Sequence, residues 1–543
     1  MKKNIFVCCL LLLCLTVACS TSNKETSTPS EQSNIVWIVC EDQSPDFLPM
    51  YGDSTIVVPN LTSLAAESIV FDEAYSPAPV CAPARSSLIT GMYQTSLGTH
   101  NMRTFSAYNK NNQPAINVPT YSPIVPENVK PFTEALRVNG YYCTNNAKED
   151  YNFKTLTSTW DVSGNNATWR NRKEGQPFFA VFNYNITHES QIWKNGKEEL
   201  LVDPNKVPVP PIFPDNAVIR HDLAVNYSNL MRLDAQVGNL IAKLKKDGLY
   251  ENSYIFFYGD HGGPFPRYKR SVYETGTKVP LFIKLPEGKQ KQTRNSDLIS
   301  FIDFAPTVLS IAGIKPPEYM QGRAFLGMHS EKDKREYLFT ASDRFDECYD
   351  RKRAVRGVRY KYIKNYYTDV PYALPVSYRE QMPMMRHMME LDASGKLNAT
   401  QKLWFAKTKP EEELYDLQND PFELHNLAQD LTYSKELEVL RTQLEKWIVE
   451  TKDLGVYSEQ DILKESQPNG RAQELDKVQF EYVNEELKIT SSRKDATILW
   501  RYTGVKAWEI YTNALEVEKG KYIEAIANRI GFEPSPITTF RMP

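Results

Sequence analysis

Residues 34–39 read Asn-Ile-Val-Trp-Ile-Val, a short unbroken apolar run bounded by polar positions. Neither alternate set is polar, so the run predicts a strand buried on both faces, the habit of parallel sheets. Residues 178–182, 254–258 and 279–285 fit the same template. Between the second and third of these four runs lies 222–246, where Leu223, Tyr227, Leu230, Leu233, Val237, Leu240, Ile241 and Leu244 recur at helical spacing and Gly248 closes the segment. Strands alternating with long helices predict an α/β sandwich with a central, mostly parallel sheet. In such sheets ligands gather beyond the carboxyl ends of the strands, and each chemical motif described below falls just past such an end.

The pattern changes after residue 345 to a Tyr- and Arg-rich stretch and then a helix over 434–451. A linker at 467–470 precedes short β-prone pieces, such as 497–502, separated by turn residues. The expected organisation is therefore an α/β catalytic domain over 34–345, a smaller α+β subdomain over 346–465 and a small β-sandwich-like domain over 470–543. At the other end, Met1-Lys-Lys-Asn leads into an apolar run over 5–17, too short to span a bilayer as a mature helix and flanked like a secretory signal. Ala18-Cys19 resembles a lipoprotein processing site, although Leu15 stands one place too far from Cys19 and Thr16 fills its position. The Ser-, Thr-, Glu- and Gln-rich stretch to residue 33 reads as a flexible tether. These features predict an exported protein whose only membrane partner is a lipid anchor at Cys19, with a secreted periplasmic protein as the alternative.

Composition narrows the chemistry. Lys and Arg number 64 against 67 Asp and Glu, so no global field recruits nucleic acid, and an anionic substrate must be met by a local basic pocket. Of eight cysteines, Cys8, Cys9, Cys14 and Cys19 belong to the signal region. The remaining Cys40, Cys81, Cys143 and Cys348 are scattered without metal-finger spacing, unlike a disulfide scaffold.

A lone cysteine usually just packs. Cys81, however, opens Cys81-Ala-Pro-Ala-Arg85-Ser-Ser-Leu-Ile-Thr-Gly91, whose small and apolar residues predict a helix beginning near Pro83. A helix N-terminus favours an anionic centre, and Arg85, one turn on, offers a fork of donors suited to an oxyanion. Glu41-Asp42, directly after the first strand, are consecutive carboxylates able to converge on one hard cation, and Gly259-Asp260-His261-Gly-Gly263 follows the strand at 254–258.

The Cys81 segment, with Pro two residues on and Arg four on, resembles the signature of the formylglycine-dependent sulfatases of the alkaline-phosphatase-like superfamily. Five segments across 34–430 fall in that family's order, ending with Glu413-Leu-Tyr-Asp-Leu-Gln-Asn-Asp-Pro-Phe-Glu423 and Asn426-Leu-Ala. The resemblance implies that a maturation enzyme oxidises Cys81 to formylglycine (3-oxoalanine), whose hydrate attacks sulfur and later expels sulfate. It implies a metal site of Glu41, Asp42, the Cys81 position, Asp260 and His261, holding Ca²⁺ with Mg²⁺ second; Glu41 stands where Asp is usual. It implies sulfate binding by Arg85, by Lys148 in Gly140-Tyr-Tyr-Cys-Thr-Asn-Asn-Ala-Lys148-Glu-Asp150, and by Lys269 in Lys269-Arg-Ser-Val-Tyr273-Glu274. His188, in Asn185-Ile-Thr-His-Glu189, takes the place of the family's histidine near the bridging oxygen. Two residues after Lys148 the family carries a histidine that helps release sulfate, and this chain has Asp150. His100, in Gly98-Thr-His-Asn-Met-Arg103, is a candidate substitute base or a substrate reader; Arg103 serves either role, and Arg344 and Asp346 are further candidate readers. The implied activity is metal-dependent, exo-acting removal of sulfate from a carbohydrate. A sulfamidase, a phosphodiesterase or phosphonate hydrolase of the same superfamily, and a non-catalytic sulfated-glycan binder stay open.

Overall fold

The computed structural model describes residues 32–105 and 118–543, of which Ser33–Pro543 form one compact unit. The signal-like run, Cys19 and most of the tether lie outside the described residues. Among the described residues no helix is long and apolar enough to cross a membrane.

A nine-stranded sheet organises the chain. Its strands are β1 (Asn34–Cys40), β2 (Ser68–Tyr75), β3 (Tyr142–Asn146), β4 (Val162–Ser163), β5 (Phe178–Tyr184), β6 (Ser253–Gly259), β7 (Lys278–Lys284), β8 (Thr293–Asn295) and β9 (Ile299–Ser300). The order is β4-β3-β5-β1-β6-β7-β2-β8, with β9 also on β2. Strand β1 is central and buried throughout. Its alternate residues feed two cores: Val36, Ile38 and Cys40 face one, Ile35, Trp37 and Val39 the other. This explains why the run has no polar face. Trp37 alone meets the rings of Phe132, Phe179, Phe256, Tyr258 and Phe304.

The strand predicted at 279–285 exists as β7, but it is antiparallel to both β6 and β2. The physical reason is the connection. No long crossover helix follows β6; residues 260–277 stay at its carboxyl end, so the next strand must start there and run back. The mostly parallel expectation holds for β4, β3, β5, β1 and β6.

The predicted long helix spans Ala217–Lys246. The Asn216 side chain accepts hydrogen bonds from Val218 N and Ile219 N, satisfying amides that the helix itself cannot. All eight apolar positions predicted to face inward are buried in one core. Gly248 follows at φ +70°, the left-handed turn by which helices commonly end.

A four-stranded antiparallel sheet follows: β10 (Leu338–Phe345), β11 (Cys348–Arg356), β12 (Tyr360–Asn365) and β13 (Glu412–Asp416). The helix Ser434–Glu450 covers it with Leu440, Leu444 and Trp447. The β-prone tail forms two small antiparallel sheets around Leu487, Ile489, Ile523 and Ala525. It is fastened to the body by Thr497 Oγ1 to Glu134 Oε2 (2.6 Å), Arg137 Nη2 to Trp508 O (2.9 Å) and Arg529 Nη2 to Val125 O (3.0 Å).

Arg344, expected as a substrate reader, is instead committed to structural pairing. It is buried, its Nε and Nη2 each lie 2.6 Å from a Glu459 carboxylate oxygen, and its Nη1 donates to Met102 O and Asp346 O. Every edge of the guanidinium is occupied by protein, leaving none for a ligand. Truncating one partner of such a pair strands a buried charge, so Arg344→Ala is expected to lower unfolding free energy by about 3 to 5 kcal/mol. Asn216→Ala removes a cap and should cost about 1 kcal/mol. Denaturant midpoints of the two variants check both values.

Candidate active site

Strands β5, β1 and β6 finish in register: Cys40 pairs with Tyr184 on one side and Gly259 on the other. The residues that follow each strand therefore emerge side by side at one rim. Glu41 and Asp42 follow β1, His188 and Glu189 follow β5, and Asp260 and His261 follow β6. The segment from β6 to β7 adds Lys269 and Arg270, and Lys148 and Asp150 follow β3.

The helix Cys81–Thr90 begins two residues earlier than predicted, with Cys81 its first residue and Val80 its N-cap. Pro83 is tolerated because the first turn has no intrahelical partner for its missing N–H. The helix ends at Gly91, φ +71°, where a Cβ would come within 3.1 Å of the Met320 side chain. Every residue of this helix is buried, so Cys81 is held at the rim by packing on all sides.

The ligand atoms of Asp42, Cys81, Asp260 and His261 lie within 4.8 Å of one another. His261 Nδ1 is 3.0 Å from Gly262 O. That contact places a proton on Nδ1 and turns Nε2 inward, toward the carboxylates. Nε2 lies 3.0 Å from Asp42 Oδ1 but out of hydrogen-bond alignment. Lys269 Nζ reaches the same Asp42 Oδ1 at 3.0 Å, so cationic and carboxylate groups crowd one buried point. The carboxylates of Asp260 and then Asp42 push the imidazole pKa up to about 10 even though burial opposes this. The cluster thus demands positive charge, and its residues fit a divalent ion.

Glu41, expected as a ligand, lies outside these four. Its Oε1 sits 2.5 Å from Lys148 Nζ and 3.1 Å from Arg85 Nη2. Arg85 also reaches Asp260 Oδ2 at 3.1 Å and Asn183 Oδ1 at 2.7 Å. Its planar fork therefore joins β1, β5 and β6 below the cleft. Lys269 Nζ contacts Asp42 Oδ2 at 2.8 Å and Glu189 at 3.1 Å, and stands 3.3 Å from His188 Nε2. His188 Nδ1 is paired to Ser190 through the backbone N–H (3.2 Å) and the hydroxyl (2.9 Å). These contacts orient the ring with Nε2 facing the site.

Burial alone would raise the Cys81 thiol pKa. Lys148 and Lys269 oppose it, together with hydrogen bonds from His188 and His261, and pull the thiol down to about 6. The position occupied by Sγ is thus one of positive potential, suited to a negatively charged group. Beyond it opens a cleft of about 660 Å³, lined among others by Glu41, Arg103, Lys148, Asp150, His188 and Tyr378. Asp150 lies 3.5 Å from Lys148 and is held as a carboxylate against burial by Lys148 and Arg103.

His100 does not join this group. It is buried, and the charges acting on it are those of Asp343, Arg353, Asp453 and Glu459. The loop after the Cys81–Thr90 helix carries it away from Cys81 toward β10 and the C-terminal segment. Asp346 stands behind the cleft, bound to Arg270 and acting on Arg103.

Sequence reasoning passed over Glu189 and Arg270. The Arg270 Nη1 and Nη2 atoms grip the two Glu189 oxygens at 2.8 Å each, and Glu189 N donates to Asp42 Oδ2 at 2.6 Å. Each directly follows a residue that was singled out, His188 and Lys269, and that adjacency was their available signal. Asn183, which links Arg85 to the 145–148 turn, carried none, since an asparagine ending an apolar strand is commonplace.

A family model described as Sulfatase matches residues 33–314, and one described as N-sulphoglucosamine sulphohydrolase, C-terminal, matches residues 259–380. An ulvan-active sulfatase of Formosa agariphila is 39% identical over 575 residues, covering 97% of this chain and 95% of the relative. The N-sulphoglucosamine sulphohydrolase of Homo sapiens is 24% identical over 460 residues, covering 76% of this chain and 90% of its own. Among solved structures, a 2-O GAG sulfatase shares the fold with a TM-score of 0.57 at 19% identity, covering 78% of this chain and 93% of its own. A structure in complex with its substrate D-glucosamine-2-N,6-O-disulfate gives 0.56 at 16%, covering 78% and 98%. With an anion site at a helix start, a cation site beside it and these likenesses over nearly its whole length, the chain belongs to the sulfatase family of the alkaline-phosphatase-like superfamily and is a sulfuric ester hydrolase.

Proposed function

We propose that this sulfatase removes O-sulfate from fragments of a sulfated polysaccharide of the ulvan kind, using a formylglycine made from Cys81 and a calcium ion beside it. The observation that carries the reading is the convergence, on the Cys81 position, of two lysines from one side and the Asp42–Asp260–His261 donors from the other. The 39% identity to an ulvan-active sulfatase supports the substrate class.

A tetrahedral sulfate seated over residue 81 has half-buried Lys148 and buried Lys269 to neutralise its oxygens, both paired to carboxylates that favour the ammonium form. Arg85 holds Glu41 and Asp260 in place and fixes the rim. His188 turns Nε2 to the side open to the cleft, where as an imidazolium it can pass the Nε2 proton to the departing sugar oxygen and be left neutral. Ser190 orients the ring. Asp42, Asp260 and His261 would hold the divalent ion, calcium by their hard donors and magnesium second, and the ion supplies neutralisation of sulfate charge. Formylglycine, formed by a maturation enzyme, supplies a hydrated aldehyde as nucleophile toward sulfur. Export and anchoring at Cys19 belong to the same reading, since they bring the enzyme to polymer outside the cell.

A second reading is favoured by the match of residues 259–380 to an N-sulphoglucosamine sulphohydrolase segment: cleavage of a nitrogen–sulfur bond at the same site. A panel of O-sulfated and N-sulfated sugars separates the two, the O-sulfated ones being expected to turn over.

Cys81→Ala is expected to keep the circular-dichroism spectrum and lower kcat by on the order of 10⁶, the scale seen when a hydrolase loses its nucleophile. Comparable turnover by this variant would refute the assignment. Asp260→Ala should lose bound metal, read by elemental analysis, together with activity. Chelation of the intact enzyme should abolish activity and calcium restore it; activity that survives thorough chelation counts against the ion.

A further inference from the structure

A second groove, about 440 Å³ in volume, adjoins the catalytic cleft and shares Asn146, Asn165 and Asn183 with it. It runs between the exposed face of the helix Ala217–Lys246 and the 165–170 segment, with Phe182 and Tyr184 of β5 as its inner wall. The helix contributes Gln236, Asn239 and Lys243, spaced to share one exposed face. Among the described residues, neither amide side chain makes a hydrogen bond and no carboxylate pairs with Lys243. Arg170, by contrast, is bound to Asp247 at 2.7 and 3.1 Å, and Trp169 Nε1 to the same carboxylate at 2.9 Å, so the groove's far wall is braced.

The lining is unlike an apolar protein-docking surface. Amides offer both donors and acceptors to hydroxyl groups, partly exposed aromatic rings offer a flat face to a sugar ring, and one unpaired ammonium offers charge. An uncommitted set of this kind, continuous with a sulfate-ester cleft, matches the saccharide attached to the sugar being desulfated. We propose that the groove is a subsite for the neighbouring sugars of an oligosaccharide, with Lys243 meeting an anionic substituent, carboxylate or sulfate, on one of them. The enzyme then prefers a chain end to an isolated sugar: the sulfated terminal unit enters the cleft, and the next units lie across Asn146, Asn165 and Asn183 into the groove. The proposal rests on the reading that the substrate is a sulfated carbohydrate.

The test compares the metal-loaded mature enzyme with the Asn239→Ala/Lys243→Ala variant on a sulfated monosaccharide and on ulvan fragments of increasing length, with an aryl sulfate as control. The wild type should show higher kcat/KM on the longer fragments. The variant should lose about tenfold on them, through KM, the scale of one or two hydrogen bonds, and leave monosaccharide and aryl sulfate turnover unchanged. Asn239→Trp, which fills the groove, should do the same. In the Cys81→Ala background, calorimetry should show the same loss of affinity for the longer fragments, a readout independent of turnover. Absence of any length preference, or an equal loss on monosaccharide and longer fragments, overturns the groove assignment while leaving the carbohydrate reading intact. Turnover of the aryl sulfate with no turnover of any sugar sulfate overturns the carbohydrate reading itself.

Discussion

Buried carboxylates crowded at one rim must be matched charge for charge, and the rest of this active site follows from that constraint. Glu41, Asp42, Glu189 and Asp260 are all buried, and left alone such a group repels itself and shifts toward its neutral form. Arg85 answers Glu41 and Asp260, Lys269 answers Asp42 and Glu189, Arg270 answers Glu189 and Asp346, and Lys148 answers Glu41 and Asp150. Asp42 and Glu189 are consequently held far below the usual carboxylate range, though burial pushes the other way. Asp42, Cys81, Asp260 and His261 remain close enough together to fit a divalent ion.

This pairing needs chain geometry that ordinary backbone does not supply. Asp42, Arg103, Asp150, Arg270 and Asp346 all have φ between +51° and +72°, a region that side chains other than glycine occupy at a cost of order 1 to 3 kcal/mol each. Their grouping around the cleft and the ion pairs just behind it points to a functional cause: the left-handed turns aim carboxylates and cations inward directly after strands and loops. The packing of the Cys81–Thr90 helix and the two cores on either side of β1 hold those turns in place.

The same logic explains how cleft and groove divide their tasks. In the cleft each charged group is bound to another, so a small anion meets a prearranged site with little to reorganise. On the exposed helix face beside it, Gln236, Asn239 and Lys243 carry no such commitments among the described residues. Catalysis calls for the first condition, and adaptable recognition of hydroxyl-bearing neighbours for the second.

The strands, the long helix with its inward face, and the places of Cys81, Asp42, Asp260, His188, Lys148 and Lys269 were legible in the sequence. Apolar periodicity reports burial directly, and chemistry just past a strand's end has one place to go in an open sheet. The reversed direction of β7 was not legible, because a buried strand reads the same in either sense and only the rim-bound loop before it sets the direction. Arg344 and His100 looked like ligand readers because their residue types suit that work. The fold places Glu459, more than a hundred positions away, against the first, and carries the second toward Arg353. Glu41 likewise kept its expected address but took Arg85 and Lys148 as partners. Local composition thus determined what each segment is made for. Which charges meet was decided by tertiary structure, since pairing energy depends on distances that only the folded sheet sets.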